Sequence, residues 1–247
     1  MNSMITGLIT VRSNSTRLPN KCFLKFGDEI VLEHVIKRTI HYGIDPIVCT
    51  TVEKSDNSIE ELCNALDVKC FRGSIENKLH RWLMCSKEYG LQNFHTIDAD
   101  DPFFCGDEMK RSMNLLGEKY NFIKPSKSSA DGGAMVGYSI TVDLLKNLMK
   151  EIPLDTDTEM MWGFFEKFDQ TEEYTLTDPE QFNIKGRLTL DYWEDYIFLS
   201  ILKLSLSSYP DRKDIYKFLC ENPEIQNINI HRNDDWRMRQ KNKLDKI

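Results

Sequence analysis

Short apolar runs alternate with helix-like periodicities through the first half of the chain. Apolar runs of four to eight residues predict buried strands, and apolar residues three and four positions apart predict helices. Strands are predicted at residues 4–11, 46–51, 68–71, 93–97 and 120–124. Between them, helices are predicted by the apolar positions of residues 31–40, 59–66, 75–89 and 109–116. This alternation is typical of βαβ units, so we expect an α/β fold with a mostly parallel sheet flanked by helices.

The second half of the chain is less regular. Strands are predicted at 134–139 and 187–190, and helices from Thr141 onward, at 157–168 and at 193–206. Residues 233–243 are highly charged, and we expect this tail to fray. No internal repeat or clear linker separates the halves, so one domain over residues 1–247 is predicted.

Composition excludes several classes of function. The formal net charge of −7 argues against general nucleic-acid binding, which normally shows a basic footprint. No apolar run approaches the length that spans a bilayer, and no secretory signal is visible at the N-terminus, so no membrane partner is expected. The seven cysteines are an odd number without metal-binding spacing, which favours a reducing cytoplasm.

A basic loop, defined as residues 11–21, follows the first predicted strand. It carries Arg12, Arg17 and Lys21 among small polar residues and a proline. Cationic side chains, hydroxyls and backbone N–H groups suit a multiply charged anion such as a nucleoside triphosphate. Charge alone favours a solvated surface loop, but open α/β sheets bind ligands at strand exits. The predicted nucleotide contacts in this loop are Val11, Arg12, Ser13, Asn14, Ser15, Arg17 and Lys21.

The pattern Arg-x-x-Ser-Thr-Arg-Leu-Pro-x-Lys at residues 12–21 resembles the signature of the spore-coat polysaccharide cytidylyltransferases. These enzymes are relatives of the CMP-Kdo and CMP-sialic acid synthetases. The resemblance implies a Rossmann-like fold of the nucleotide-diphospho-sugar transferase type and a homodimer. It also implies a nucleotide-binding half (1–125), an acceptor-binding and dimerisation part (126–210) and a helical extension (211–247). Asn14 stands where the family usually has glycine, and asparagine tolerates left-handed backbone.

Carboxylates cluster at the predicted end of the strand 93–97. Oxygen ligands at this edge of a parallel sheet suit a hard divalent cation, whereas the alternative is N-capping of the next helix. We expect capping from Asp101 and Asp107. The Ala-Asp-x-Pro pattern resembles the family's and implies a metal-binding role for Asp100. Asp98 stands where the family often has threonine and is retained as a nucleotide contact.

Two further stretches resemble family segments. The Arg-x-Thr-x-Asp-x-x-Glu-Asp pattern at residues 187–195 implies that Asp191 is a second metal ligand, while Asp195 also suits an early helix position. The Phe-Arg-Gly-Ser segment at 71–74 implies nucleotide contacts from Arg72 and from Arg81, although a surface ion pair is an equal alternative for Arg81. Candidate acceptor contacts are Gly137, Tyr138 and Glu159, with residues 131–133 either lining the acceptor or forming a plain turn.

The resemblance implies transfer of CMP from CTP to an acidic sugar, a nonulosonic acid or a Kdo-like sugar, for surface polysaccharide synthesis. The cofactor implied is Mg²⁺ on Asp100 and Asp191, with Arg12 and Lys21 completing the catalytic set. Two alternatives stay open. Asp98-Ala99-Asp100 also reads as the Asp-x-Asp of a glycosyltransferase that consumes a nucleotide-sugar, and a non-catalytic nucleotide-binding protein would retain the basic loop.

Overall fold

The computed structural model describes residues 5–117, 120–125, 136–167, 173–176 and 184–244. Its strands are β1 (Thr6–Thr10), β2 (Lys25–Phe26), β3 (Glu29–Ile30), β4 (Asp45–Thr51), β5 (Lys69–Gly73), β6 (Asn93–Asp98), β7 (Phe122–Pro125), β8 (Ser139–Thr141) and β9 (Glu173–Leu176). Its helices are α1 (Val31–His41), α2 (Asn57–Ala65), α3 (Lys78–Glu88), α4 (Gly106–Leu115), α5 (Val142–Leu148), α6 (Met161–Lys167), α7 (Trp193–Ser205), α8 (Arg212–Glu221) and α9 (Arg232–Leu244).

Seven of the described strands form one sheet in the order β5-β4-β1-β6-β8-β7-β9. The pairs β5–β4, β4–β1, β1–β6 and β7–β9 are parallel, and β8 is antiparallel to both of its neighbours. The predicted mostly parallel, helix-flanked α/β fold is therefore confirmed. Strand β1 lies inside the sheet, so its C-terminal end opens between two parallel neighbours.

The core lies on both faces of the sheet. Successive residues of a strand point to opposite faces, and Leu8 and Ile9 of β1 are both fully buried in different apolar clusters. Leu8 packs with Trp82 of α3, whereas Ile9 packs with Ile36 of α1. Burial on both faces explains why the parallel strands read as continuous apolar runs in the sequence.

The predicted strand at 187–190 is wrong. These residues form an irregular segment, and the side chain of Asn229 takes the place of a neighbouring strand. Its amide oxygen accepts from Arg187 N at 3.1 Å, and its amide nitrogen donates to Arg187 O at 2.9 Å. Leu190 N donates to Asp100 O at 2.7 Å. Leu188 and Leu190 are buried against α7 and α8, which produced the strand-like alternation.

Other boundaries also differ. In the strand predicted at 134–139, residues 134 and 135 lie outside the described part, 136–138 are irregular, and β8 begins at Ser139. The β2–β3 hairpin and β9 were not predicted. The charged tail expected to fray is helical as α9. The division into parts at residues 125 and 210 stays a prediction. Among the described helices, none combines the length and apolar character that crossing a bilayer requires.

Candidate active site

A cavity of about 1110 Å³ opens at the C-terminal ends of β1 and β6. The basic loop follows β1, and an acidic loop, defined as residues 98–101, begins at the last residue of β6. Both loops line the cavity, so the parallel arrangement of the two strands brings their charges together. Its lining from the basic loop comprises Val11, Arg12, Ser15, Thr16, Arg17 and Lys21.

The basic loop is anchored from beneath by Asp56. The carboxylate accepts from Ser13 N at 2.8 Å and from Ser13 Oγ at 2.7 Å, and it also accepts from the hydroxyls of Thr50 and Thr51. Burial favours the neutral acid, but these hydrogen bonds outweigh it and hold the pKa of Asp56 below its usual value. Ser13, predicted to contact nucleotide, therefore has its hydroxyl directed away from the cavity.

Left-handed backbone in the basic loop occurs at Asn20, with φ of 56°, rather than at Asn14. Asn14 is exposed and is not among the residues that line the cavity. Asn20 N and Ser15 N both donate to Ser13 O at 3.0 Å, which closes the turn. The glycine that the family usually has at position 14 is therefore not needed for a positive φ in this chain.

Lys21 joins the basic loop to both predicted metal ligands. Its ammonium lies 2.6 Å from Asp100 Oδ2 and 3.1 Å from Asp191 Oδ1, and it donates to Leu190 O at 2.7 Å. Burial disfavours the charged amine, but Asp100 and Asp191 outweigh that effect and raise the pKa of Lys21. The chain thus brings Lys21, Asp100 and Asp191 together from three distant segments.

Asp191 is enclosed by cations. Arg17 and Lys21 contact one carboxylate oxygen, and Arg187 donates to the other at 3.1 Å. Burial would raise the pKa of Asp191, but the charges of Lys21, Arg17 and Arg187 together hold it below its usual value. The Asp191 side chain is only 3% exposed. Its ionised form is therefore stabilised before any ligand arrives.

Asp195 holds the segment that carries Asp191. One carboxylate oxygen accepts from the backbone N–H groups of Asp191 and Tyr192 at 2.9 and 3.0 Å, which caps α7. The other accepts from Arg187 Nε at 3.0 Å and from Asn229 Nδ2 at 3.0 Å. Asp195 thus occupies the early-helix position that the sequence offered as one interpretation.

The acidic loop contrasts with this enclosed arrangement. Oxygen atoms of Asp98, Asp100 and Asp101 lie within 4.8 Å of one another. Asp98 is paired with Lys78 at 3.0 Å, whereas Asp101 Oδ1 is buried without a hydrogen-bond partner among the described residues. Burial and the charges of Asp100 and Asp98 raise the pKa of Asp101 well above its usual value. An all-oxygen donor set with an orphaned buried oxygen fits a hard divalent cation.

The expected capping roles are only partly found. Cys105 occupies the N-cap of α4, so Asp101 does not cap this helix. Its carboxyl group instead contacts Thr189 and faces Asp98 and Asp100. Asp107 lies in the first turn of α4, where its charge complements the helix dipole.

Two predicted nucleotide contacts are separated by the fold. Arg72 points away from the cavity lining: it donates to the carbonyl oxygens of Thr51 and Glu53 and pairs with Glu60 at 2.9 Å. Arg81 lines the cavity and is buried, with its guanidinium donating to the carbonyl oxygens of residues 74 and 75. The surface ion pair considered for Arg81 is therefore not its environment.

The three candidate acceptor contacts all line the cavity. Gly137 is required by packing, because a Cβ there would lie 2.0 Å from Thr96 O. Tyr138 stacks on Phe122 with ring centroids 5.5 Å apart. Glu159 Oε2 accepts from Arg12 at 2.7 Å and so connects the acceptor side to the basic loop. Residues 131–133 lie outside the described part of the chain.

Sequence reasoning missed two groups of cavity residues. The first is Lys78, which begins α3 directly after the capping residue Asn77. The Lys78 ammonium lies 5.0 Å from the centre of the Trp82 ring. Its position next to the Phe-Arg-Gly-Ser segment was a usable signal. Trp236, Arg237 and Arg239 reach the cavity from α9. Their signal was hidden because a charged terminal sequence resembles a frayed end.

Comparisons with known proteins agree with this geometry. A family model described as cytidylyltransferase matches residues 6–123. The chain is 32% identical over 231 residues to the uncharacterized protein MJ1063 of Methanocaldococcus jannaschii, covering 91% of this chain and 94% of the relative. It is 24% identical over 230 residues to the spore coat polysaccharide biosynthesis protein SpsF of Bacillus subtilis, covering 88% of this chain and 94% of the relative.

Solved structures share the fold. A cytidylyltransferase from Leptospira borgpetersenii is similar with a TM-score of 0.79 and 24% identity, covering 90% of this chain and 97% of the other. A CMP:2-keto-3-deoxy-manno-octonic acid synthetase solved in complex with CTP is similar with a TM-score of 0.59 and 14% identity, covering 82% and 99%. The resemblance predicted from the basic loop is therefore confirmed at the level of family and fold.

Proposed function

This chain belongs to the cytidylyltransferase family, and from that premise we propose that it transfers CMP from CTP to an acidic sugar. The acceptor class is a nonulosonic acid or a Kdo-like sugar, and the second product is pyrophosphate. The relative named for spore coat polysaccharide biosynthesis supports a role in making surface polysaccharide. We further propose a cytoplasmic homodimer, as the family resemblance implies.

The observation that carries the proposal is the position of Lys21. Its ammonium contacts Asp100 and Asp191 from the basic loop, so phosphate-binding and metal-binding chemistry meet within one hydrogen-bond length. A protein that only displayed a charged surface loop would not bury this lysine between two carboxylates from elements far apart in sequence.

The reaction needs no protein nucleophile. An acceptor oxygen bonds to the α-phosphorus of CTP while the bond to the bridging oxygen of pyrophosphate breaks. Negative charge on the phosphate oxygens is the main barrier, so catalysis consists of positioning and electrostatic stabilisation. In this proposal, Arg12, Arg17 and Lys21 neutralise the triphosphate, and Gly137, Tyr138 and Glu159 line the acceptor.

Asp100 and Asp191 would hold the divalent cation, proposed to be Mg²⁺, which supplies further neutralisation of phosphate charge. Lys21 contacts both carboxylates in the described structure, so the lysine and a cation compete for the same oxygens. Arg17 and Arg187 would keep Asp191 ionised with a cation in place of Lys21. Lys21 would then be available to the triphosphate.

A pyrophosphate-release assay tests the proposal. CTP, ATP, GTP and UTP are each mixed with Kdo or N-acetylneuraminic acid, with and without Mg²⁺. We expect release with CTP and an acidic sugar only, abolished by EDTA. Parallel measurements distinguish the alternatives: consumption of an added CMP-sugar without pyrophosphate release would instead support a glycosyltransferase, and CTP binding without metal and without product would support a binding protein.

Lys21→Ala provides the matched variant. We expect kcat/KM for CTP to fall at least about 100-fold, because a buried cation facing the triphosphate is removed. Lys217→Ala is the control, since Lys217 lies on α8 with a side chain 77% exposed. A wild-type kcat/KM in the Lys21 variant removes this residue from the mechanism.

A further inference from the structure

The C-terminal helix α9 is fastened to the residue that positions Asp191. Arg187 Nη1 donates to Asn233 Oδ1 at 3.2 Å, and its guanidinium lies 5.9 Å from the centre of the Trp236 ring. The same arginine donates to Asp191. Because Arg187 is fully buried, it fixes α9 and Asp191 relative to each other.

A second attachment joins α9 to the basic loop. Arg232 pairs with Glu194 at 2.8 Å, and its guanidinium lies 5.0 Å from the Tyr192 ring centre. Arg17 of the basic loop lies 5.7 Å from the same ring. Helix α9 therefore adjoins the basic loop through Tyr192, whose ring also lies 5.5 Å from the Arg187 guanidinium.

Beyond these attachments, α9 continues the lining of the cavity. Positions 232, 236 and 239 are four and three residues apart, which places them on one face of the helix. Trp236 and Arg239 line the cavity, together with Arg237 on the adjoining face. The helix thus adds two arginines to the lining of the cavity that Arg17 and Lys21 also line.

The cations of the basic loop are already engaged. Lys21 and Arg17 contact Asp191, Lys21 also contacts Asp100, and Arg12 pairs with Glu159. A bound triphosphate would share these groups with carboxylates. On α9, Arg237 pairs with Asp234 at 3.8 Å, but both side chains are more than half exposed, and exposed pairs are weak enough to exchange for a phosphate. Arginine matches phosphate oxygens with two parallel N–H donors, so the α9 guanidiniums are suited to supply additional charge.

We propose that α9 is part of the polyphosphate site, with Arg237 and Arg239 binding the terminal phosphates of the nucleotide and the departing pyrophosphate. This inference rests on the proposed function for the identity of the nucleotide but not for the chemistry of the bound anion. Arg187 and Trp236 position the helix, and the two arginines contact the anion.

Binding measurements on the full chain test the proposal. Isothermal titration with CTP, CMP, pyrophosphate and inorganic tripolyphosphate, in Mg²⁺ buffer, compares wild type with Arg237→Gln/Arg239→Gln. We expect dissociation constants for CTP, pyrophosphate and tripolyphosphate to rise at least about 10-fold, while that for CMP stays within about twofold. The control is Lys213→Gln/Lys217→Gln, which removes two exposed cations from α8 and should leave all four constants unchanged.

Each outcome decides between the two proposals. Unchanged polyphosphate binding in the α9 variant overturns the inference, as does equal weakening of CMP, which would indicate general damage. If the wild type binds CTP no more tightly than tripolyphosphate, the cytidylyltransferase proposal fails. The polyphosphate affinities of the α9 variant still decide the inference in that case. If wild type binds neither polyphosphate nor CTP, both are wrong.

Discussion

The two aspartate-bearing regions of the cavity differ in how many cations contact each carboxylate. The acidic loop places three carboxyl groups within 4.8 Å of one another, and Asp100 is 28% exposed. The segment 187–195 instead surrounds Asp191, 3% exposed, with Arg17, Lys21 and Arg187. In the first region, Asp98 and Asp100 each have one cationic partner, Lys78 and Lys21, and Asp101 Oδ1 has no hydrogen-bond partner among the described residues, so an oxygen remains for a further cation. In the second region, three cations already neutralise the Asp191 carboxylate.

Asp191→Asn should have the largest effect, because it damages both catalysis and folding. Removing this charge leaves Arg187 with Asp195 as its remaining carboxylate partner among the described residues, and Arg187 is fully buried. Removing one partner of a buried ion pair typically costs about 3 kcal/mol. We expect activity to disappear and the free energy of unfolding, measured with urea, to fall by about that amount.

Asp100→Asn should impair catalysis without the loss of stability expected for Asp191→Asn. We expect kcat to fall at least about 100-fold, because a proposed metal ligand is lost. The free energy of unfolding should change by less than about 1 kcal/mol, because the acidic loop is partly exposed. Asp107→Asn is the matched control, because Asp107 is 73% exposed in the first turn of α4. Equal destabilisation by Asp100→Asn and Asp191→Asn would contradict the difference between the regions.

The same contrast explains what could be predicted from the sequence. The acidic loop follows β6, and local apolar periodicity identified that strand and hence the position of Asp100. Asp191 was identified by resemblance, but its surroundings depend on Asn229 and Arg187, which interact across 42 residues of sequence. A side-chain amide that replaces a strand partner leaves no periodic signal. The same limit concealed that α9 reaches the site, because the contacts of this helix with the site are all long-range.

As the pH falls, the contribution of His34, which contacts the residue after the acidic loop, to the free energy of unfolding should be lost before that of Asp191. His34 Nε2 lies 3.1 Å from Pro102 O, so it carries the proton, and Nδ1 accepts from Lys203 at 3.0 Å. Glu29 lies 3.2 Å from Nδ1 and raises the pKa of His34, but burial, Lys203 and Arg38 outweigh it and lower this pKa to about 3. The unfolded chain binds a proton near pH 6.5, so this contribution is complete above that pH and is lost as the pH falls toward 3.

Urea unfolding at pH 7 and pH 5 measures this effect. Wild type should lose about 2 kcal/mol more than His34→Gln between these two pH values. His95, whose pKa burial also lowers to about 3, contributes equally to both proteins and cancels in the difference. His41→Gln, at an exposed position of α1, should match wild type. The contribution of Asp191 has the same sign, but its loss begins only as the pH falls to the ordinary aspartate pKa of about 3.9, where the unfolded chain takes up the proton. An identical pH dependence in wild type and His34→Gln would remove His34 from the support of the acidic loop.

Glu159→Gln should have the smallest effect, because its ion pair with Arg12 belongs to neither region. The side chains are 42% and 40% exposed, and exposed pairs contribute less than about 1 kcal/mol, so the free energy of unfolding should change by no more than that. If Glu159 contacts the acceptor, KM for the acidic sugar should rise about threefold or more while KM for CTP holds within about twofold. A change in KM for CTP alone would show that Glu159 acts by positioning Arg12, which would assign this carboxylate to the nucleotide side of the cavity.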